Sequence, residues 1–301
     1  MSFKTVSSDD GSMFACIGRR VNVFSAASGE RVLSSRPFPD PSYAAFSPTN
    51  RELALAFTDG RVLIVDLPEG NVMRDLKKQK EGEGTEIFFS PDGTQLIHGI
   101  RKGLVAKREV QGKGVDTRQF PGEMIDRLST DSLKRLWLIE HRSILRSEQE
   151  LRDWDYLALY KWPLFSHEPK LFAMKLYMES ATISPDGTRI CLICWSRGEK
   201  KKVRILQISD GTFLSHVADY ETGGTGSEIA WSADSTLIGV VQKERFVFYQ
   251  ASELEMIADL PCRYPSSICF LPNQDLVVLG TWNASVLASV PDVLKGKVKL
   301  K

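Results

Sequence analysis

Seven times along the chain an apolar run ends in a short turn of Ser, Pro, Asp, Gly or Asn, and a second apolar run follows at once. The clearest copies are Phe46-Ser47-Pro48-Thr49-Asn50, Phe89-Ser90-Pro91-Asp92-Gly93, Ile183-Ser184-Pro185-Asp186-Gly187 and Trp231-Ser232-Ala233-Asp234-Ser235. Weaker ones stand at Ser7-Ser8-Asp9-Asp10-Gly11, Ser129-Thr130-Asp131-Ser132 and Leu271-Pro272-Asn273-Gln274. These residue types make turns because short polar side chains bond to nearby backbone and Gly accepts left-handed dihedrals.

Counting from residues 7, 47, 90, 129, 184, 232 and 271, successive turns lie 40, 43, 39, 55, 48 and 39 residues apart. Units of roughly 40 to 45 residues are the size of a four-stranded propeller blade. Each turn is followed by an almost continuous apolar strand: Met13 to Ile17, Leu53 to Phe57, Leu96 to Ile100, Leu136 to Ile139, Ile190 to Trp195, Leu237 to Val241 and Leu276 to Gly280. Strands apolar on both pleat faces must be covered on both sides, as when one blade is sandwiched between two neighbours. A tight polar loop and a third strand then follow in each unit, for example Thr58-Asp59-Gly60-Arg61 before Val62 to Val65. The expectation is an all-β chain forming a single seven-bladed β-propeller of four-stranded antiparallel blades, with residues 1 to 301 as one domain.

The Ser-Pro-Asp-Gly turns, the Asp59-Gly60 step and Val65-Asp66, where Trp-Asp is usual, make the chain resemble the degenerate edge of the WD-repeat β-propeller family over nearly its whole length. No third strand ends in Trp-Asp and no Gly-His precedes an innermost strand, so the resemblance does not imply the family's buried His, Asp, Ser/Thr and Trp network. Partner-binding residues are not carried over by position. Only Met1 to Val6 precede the first turn, enough for the innermost strand of blade one. The outer strand of blade seven is therefore expected from 293 to 301, where charged and apolar residues alternate in Lys297-Val298-Lys299-Leu300-Lys301.

The chain has 42% hydrophobic and 26% charged residues and a formal net charge of +1, which excludes a polybasic whole-protein field. No apolar stretch of membrane-spanning length or signal-peptide pattern occurs, and a cytoplasmic or nuclear location is expected. Five cysteines suit reduced thiols, and Cys191 and Cys194 fall on opposite faces of a strand and cannot share a metal. His98, His141, His167 and His216 lie outside metal-ligand spacing of one another, no nucleophile elbow occurs, and Gly223 to Ser227 lacks the lysine and helix of a phosphate loop. No catalytic residue, metal or cofactor is therefore assigned; His98, inside an apolar strand, reads as a core histidine.

Charge placement carries the functional expectation. The loops between second and third strands hold fourteen Lys or Arg against seven acids, whereas the opposite turns hold seven Asp and no cation. Turn propensity explains the Asp residues but not the cations. Aromatic residues fall on the basic side too, and Arg with Tyr and Trp is the composition of interface hot spots. The expected partner-binding residues are Arg61, Arg101, Lys102, Arg142, Arg197, Lys200, Lys201 and Lys202 for charge, with Trp154, Tyr220, Tyr264 and Trp282 as apolar anchors. The resulting reading is a non-catalytic protein-protein interaction scaffold that docks an acidic or phosphorylated segment. RNA or nucleoprotein binding by the same face, and a small-molecule or hydrolytic site in the channel, are the alternatives.

Overall fold

The computed structural model describes residues 2–34, 41–76, 84–100, 104–112, 114–119, 124–130, 136–143, 155–161, 169–174, 176–221 and 228–300. Blade one comprises β1 (Ser2–Ser7), β2 (Met13–Gly18), β3 (Val21–Ser25) and β4 (Arg31–Ser34), and blade two β5 (Pro41–Phe46), β6 (Glu52–Phe57), β7 (Val62–Asp66) and β8 (Val72–Leu76). Blade three comprises β9 (Gly84–Phe89), β10 (Gln95–Ile100), β11 (Leu104–Glu109) and β12 (Val115–Gln119), and blade four β13 (Met124–Thr130), β14 (Leu136–Ser143), β15 (Asp155–Lys161) and β16 (Lys170–Met174). Blade five follows with β17 (Tyr177–Ile183), β18 (Arg189–Trp195), β19 (Lys202–Gln207) and β20 (Ala218–Asp219), and blade six with β21 (Ile229–Trp231), β22 (Leu237–Gln242), β23 (Arg245–Gln250) and β24 (Glu255–Pro261). Blade seven has three strands, β25 (Pro265–Phe270), β26 (Leu276–Thr281) and β27 (Ser285–Ser289), and then a short helix α1 (Val290–Leu294).

Neighbouring strands within each blade pair antiparallel. The first strands touch one another in order, β1 to β5, β9, β13, β17, β21, β25 and back to β1, which closes a ring about a central channel. Second strands are buried along nearly their whole length, as in the Leu53 to Phe57 run of β6, because each is covered by a blade on either side. Cys191 and Cys194 accordingly point into different seams, one toward blade six and the other toward blade four, and every described cysteine is a free thiol. Burial pushes the Cys194 thiol up to about 12.

The recurring turns are built by a side-chain cage. In blade three the Ser90 hydroxyl donates to Asp92 Oδ1 at 2.5 Å and accepts the Gln95 amide at 3.0 Å, while Asp92 Oδ1 also accepts the Thr94 amide and hydroxyl at 3.0 and 2.8 Å. The same cage recurs at Ser8 with Asp10, Ser184 with Asp186 and Ser232 with Asp234. Gly11, Gly93 and Gly187 supply the positive φ three residues after the serine. Blade two puts Thr49 where the aspartate stands, and the Ser47 hydroxyl still accepts the Glu52 amide at 3.1 Å.

The outer strand expected at 293–301 does not form over the described residues 293–300. Ser289 caps α1 by accepting the Asp292 amide, Pro291 occupies the first turn, and Val293, Leu294, Val298 and Leu300 pack toward the outer strand of blade six. A Ser-x-Pro-Asp start favours helix over strand, since proline has no amide for a ladder and Ser satisfies an orphan helix donor. Closure rests instead on the contact between blades one and seven, where Gln274 Nε2 donates to the Gly11 carbonyl at 2.9 Å. A Cβ on Gly11 would lie 1.8 Å from the Pro272 carbonyl oxygen, so the close approach needs glycine.

Candidate interaction face

Strand polarity puts the caged turns on one face of the ring and the loops between second and third strands on the other. On that second face Tyr264, at 48% exposure, stacks on Trp282 with ring centroids 5.5 Å apart and planes 22° from parallel. Arg263 lies 5.9 Å from the Tyr264 ring, and the Trp282 amide donates to the Tyr264 carbonyl at 3.1 Å. Blade five repeats the arrangement: Tyr177 stacks on Trp195 at 5.6 Å and 26°, and Lys201 Nζ lies 4.9 Å from the Trp195 ring. Tyr177 and Trp195 are the first residue of β17 and the last of β18, while Tyr264 and Trp282 lie just before β25 and just after β26. In both blades the entry to the first strand therefore meets the exit from the second. The shared separation of 18 residues was present in the sequence, and it is the signal by which Tyr177 and Trp195 could have been found.

The remaining expected residues divide sharply. Arg197 and Lys200 are exposed at the turn after Trp195, with no salt bridge of their own among the described residues. Lys201 pairs with Glu179 and Lys202 with Asp219, whose carboxyl is held below its usual range first by the hydrogen bond from Lys202 and then by its charge. Arg61 donates from Nε to Asp75 on β8 at 3.1 Å, and Arg245 is shared between Glu221 at 2.6 Å and Asp259 at 3.0 Å. Counting loops alone overstated the field, because antiparallel pairing sets outer-strand acids beside loop cations. Tyr220 is not a surface anchor: it is only 7% exposed, within the core between blades five and six. Arg101, Lys102 and Trp154 lie outside the described residues, as does the Arg142 side chain, although its backbone extends β14.

The opposite turns carry carboxylates already in use. The Asp92 carboxyl sits below its ordinary range because the Ser90 hydroxyl, and then the Thr94 amide, donate to it. For Asp10, Asp186 and Asp234 burial pushes upward, and the hydrogen bonds of the cage outweigh it.

The channel holds a cavity of about 300 Å³. Lys4, Tyr43, Glu86 and Glu228, each four residues before its blade's turn serine, line it at one level. Lys4 Nζ pairs with Glu228 Oε1 at 2.7 Å and lies 4.6 Å from the Tyr43 ring. Burial pushes the Cys269 thiol in the same wall up to about 11. Among the described residues no group of three or more His, Cys, Asp and Glu is arranged to hold a metal ion, and no helix is long and apolar enough to cross a membrane.

This architecture is that of a seven-bladed β-propeller, with one blade a strand short among the described residues. Two solved structures are similar to it across almost the entire chain. A Kuenenia stuttgartiensis hydrazine synthase matches with a TM-score of 0.74 at 13% identity, over 96% of this chain and 95% of that one. The Myceliophteria thermophila Cps50 (Swd1) β-propeller domain matches with a TM-score of 0.71 at 11% identity, over 96% of each chain. At such identities the likeness is one of fold. No family model matches the sequence, and no curated protein does.

Proposed function

We propose that this chain is a non-catalytic interaction scaffold, a degenerate relative of the WD-repeat propellers, that docks an acidic or phosphorylated segment of another protein on the face bearing Tyr264 and Trp282. The observation that carries this reading is the stacked pair itself: a half-exposed tyrosine on a tryptophan beside Arg263, with Arg197 and Lys200 exposed on the same face. A partner there gains aromatic burial as well as charge-assisted hydrogen bonds. Protein is favoured over RNA because Arg61, Lys201, Lys202 and Arg245 are already matched to carboxylates, which weakens the phosphate-tracking field that nucleic acid needs.

Affinity capture with the intact chain beside a Tyr264→Ala, Trp282→Ala, Arg197→Glu, Lys200→Glu variant tests the reading. Partners recovered equally by both proteins refute it. Binding that collapses by orders of magnitude across a salt series and follows added RNA favours the nucleic-acid alternative.

A further inference from the structure

Among the described residues blade seven ends one strand early, and the gap has a definite shape. In five other blades a residue of the fourth strand packs into the seam with the following blade: Leu33 between blades one and two, Leu76 between two and three, Phe172 between four and five, Ala218 between five and six, and Leu260 between six and seven. These residues pair across the strands with Val23, Val62, Leu157, Val203 and Phe246 of the third strands. Among the described residues the seam between blades seven and one has no such residue. In its place lies a groove of about 320 Å³, whose lining includes Phe14, Cys16 and Phe24 of blade one and Ser285 and Leu287 of β27.

Ser285 occupies the position that is plugged elsewhere. Val62, Val203 and Phe246 each pair with the residue nine after their blade's turn residue, and in blade seven that residue is Gly280, the partner of Ser285. The backbone beside it is open. The Thr281 amide bonds to the Ala284 carbonyl at 2.7 Å and the Val290 amide to the Asp275 carbonyl at 2.8 Å, which sets the phase so that Val286 and Ala288 bond inward to β26. The amides and carbonyls of Ser285 and Leu287 then point outward, and no described residue pairs with them. Helix α1 and Val298 and Leu300 cover the opposite side of β27, toward blade six. Arg20 lines the groove; Lys295, Lys297 and Lys299 are exposed in the segment that follows β27 in the chain, with Lys297 matched to Asp292 at 3.6 Å.

We propose that β27 is a docking edge for an extended acidic segment of another protein, which adds as the fourth strand of blade seven and inserts an apolar side chain opposite Ser285 into the groove. Strand addition draws affinity from main-chain hydrogen bonds and specificity from alternate side-chain pockets. The Arg20 guanidinium at the groove gives an acidic segment a complementary charge there. One end of the groove reaches the loop that carries Trp282, through Asn283 and Ala284, but the docking edge is the β27 backbone and the proposal stands whether or not the stacked pair binds a partner.

Two measurements decide it. In the free protein, amide hydrogen exchange at Ser285 and Leu287 is expected to be about a hundredfold faster or more than at Val286 and Ala288; equal protection means that the chain covers its own edge, and overturns the proposal. A displayed library of random nine-residue peptides, selected on the intact protein, is expected to yield segments alternating apolar residues with Asp or Glu. Their affinity should fall about tenfold or more on Ser285→Phe, which fills the groove, and stay unchanged on Tyr264→Ala. Asn22→Trp fills the same groove from blade one and replaces Ser285→Phe if that variant does not fold. No selected binder, or binders indifferent to both fillings, overturns the proposal.

Discussion

His98 sits on β10 with no solvent exposure, and neither ring nitrogen has a hydrogen-bond partner among the described residues. Burial first, and the positive charge of Arg108 second, push its pKa down to about 4. An unfolded histidine titrates near 6.5, so as pH falls the unfolded chain takes up a proton that the folded chain refuses. Stability is therefore intact above about pH 6.5 and declines through the window down to about 4. With these two values the loss between about pH 7.5 and pH 5 comes to about 2 kcal/mol, approaching about 3 kcal/mol below both. That is a sizeable part of the roughly 5–15 kcal/mol that holds a typical domain together. Urea unfolding of the native protein and His98→Leu across this range isolates the effect, because carboxylate titration is common to both. The variant should match or exceed the native protein at neutral pH and lose about 2 kcal/mol less on going to about pH 5. Parallel stability curves for the two proteins would refute the reasoning.

Ser184→Ala removes both the donor to Asp186 and the acceptor of the Arg189 amide, and should cost about 1 to 2 kcal/mol by urea denaturation, with Ser184→Thr recovering part of it. Gly11→Ala drives a methyl into the Pro272 carbonyl at a left-handed φ of 73° and should cost about 2 kcal/mol or more, read as a lowered Tm and faster proteolysis at the junction of blades one and seven. Lowering pH below about 4 should release the cages, because carboxylates held below their usual range stabilise the fold above the unfolded value and lose that contribution as pH falls through the folded one; Asp92→Asn should flatten this part of the profile. Tyr264→Ala with Trp282→Ala should leave Tm within a few degrees of the native value while weakening partner capture about tenfold or more, since the pair lies at the rim.

Strand placement was legible because it depends on local pattern. The Leu53 to Phe57 run lies within β6, and the loop Thr58 to Arg61 turns where its Asp-Gly step places it. The charged face was legible only by count. Arg61 and Lys202 look alike in sequence to Arg197 and Lys200, yet the first two are matched to Asp75 and Asp219 and the others make no salt bridge among the described residues. Tyr220 was misplaced for the same reason: a crossing between blades can run over the rim or beneath it, and the depth is set by how two blades pack.

By itself, the sequence determined the seven units, their strand order and the two faces on which turns and loops emerge, because period, turn chemistry and two-faced apolarity are local properties. Among the described residues, the tertiary structure decided which cations remain unmatched, that two Tyr–Trp pairs stack, and that the last blade stays one strand short. Those outcomes depend on contacts between residues far apart in the chain. At the end of blade seven, capping by Ser289 and Pro291 and burial of Val293 against blade six took the place of the strand that the alternating lysines suggested.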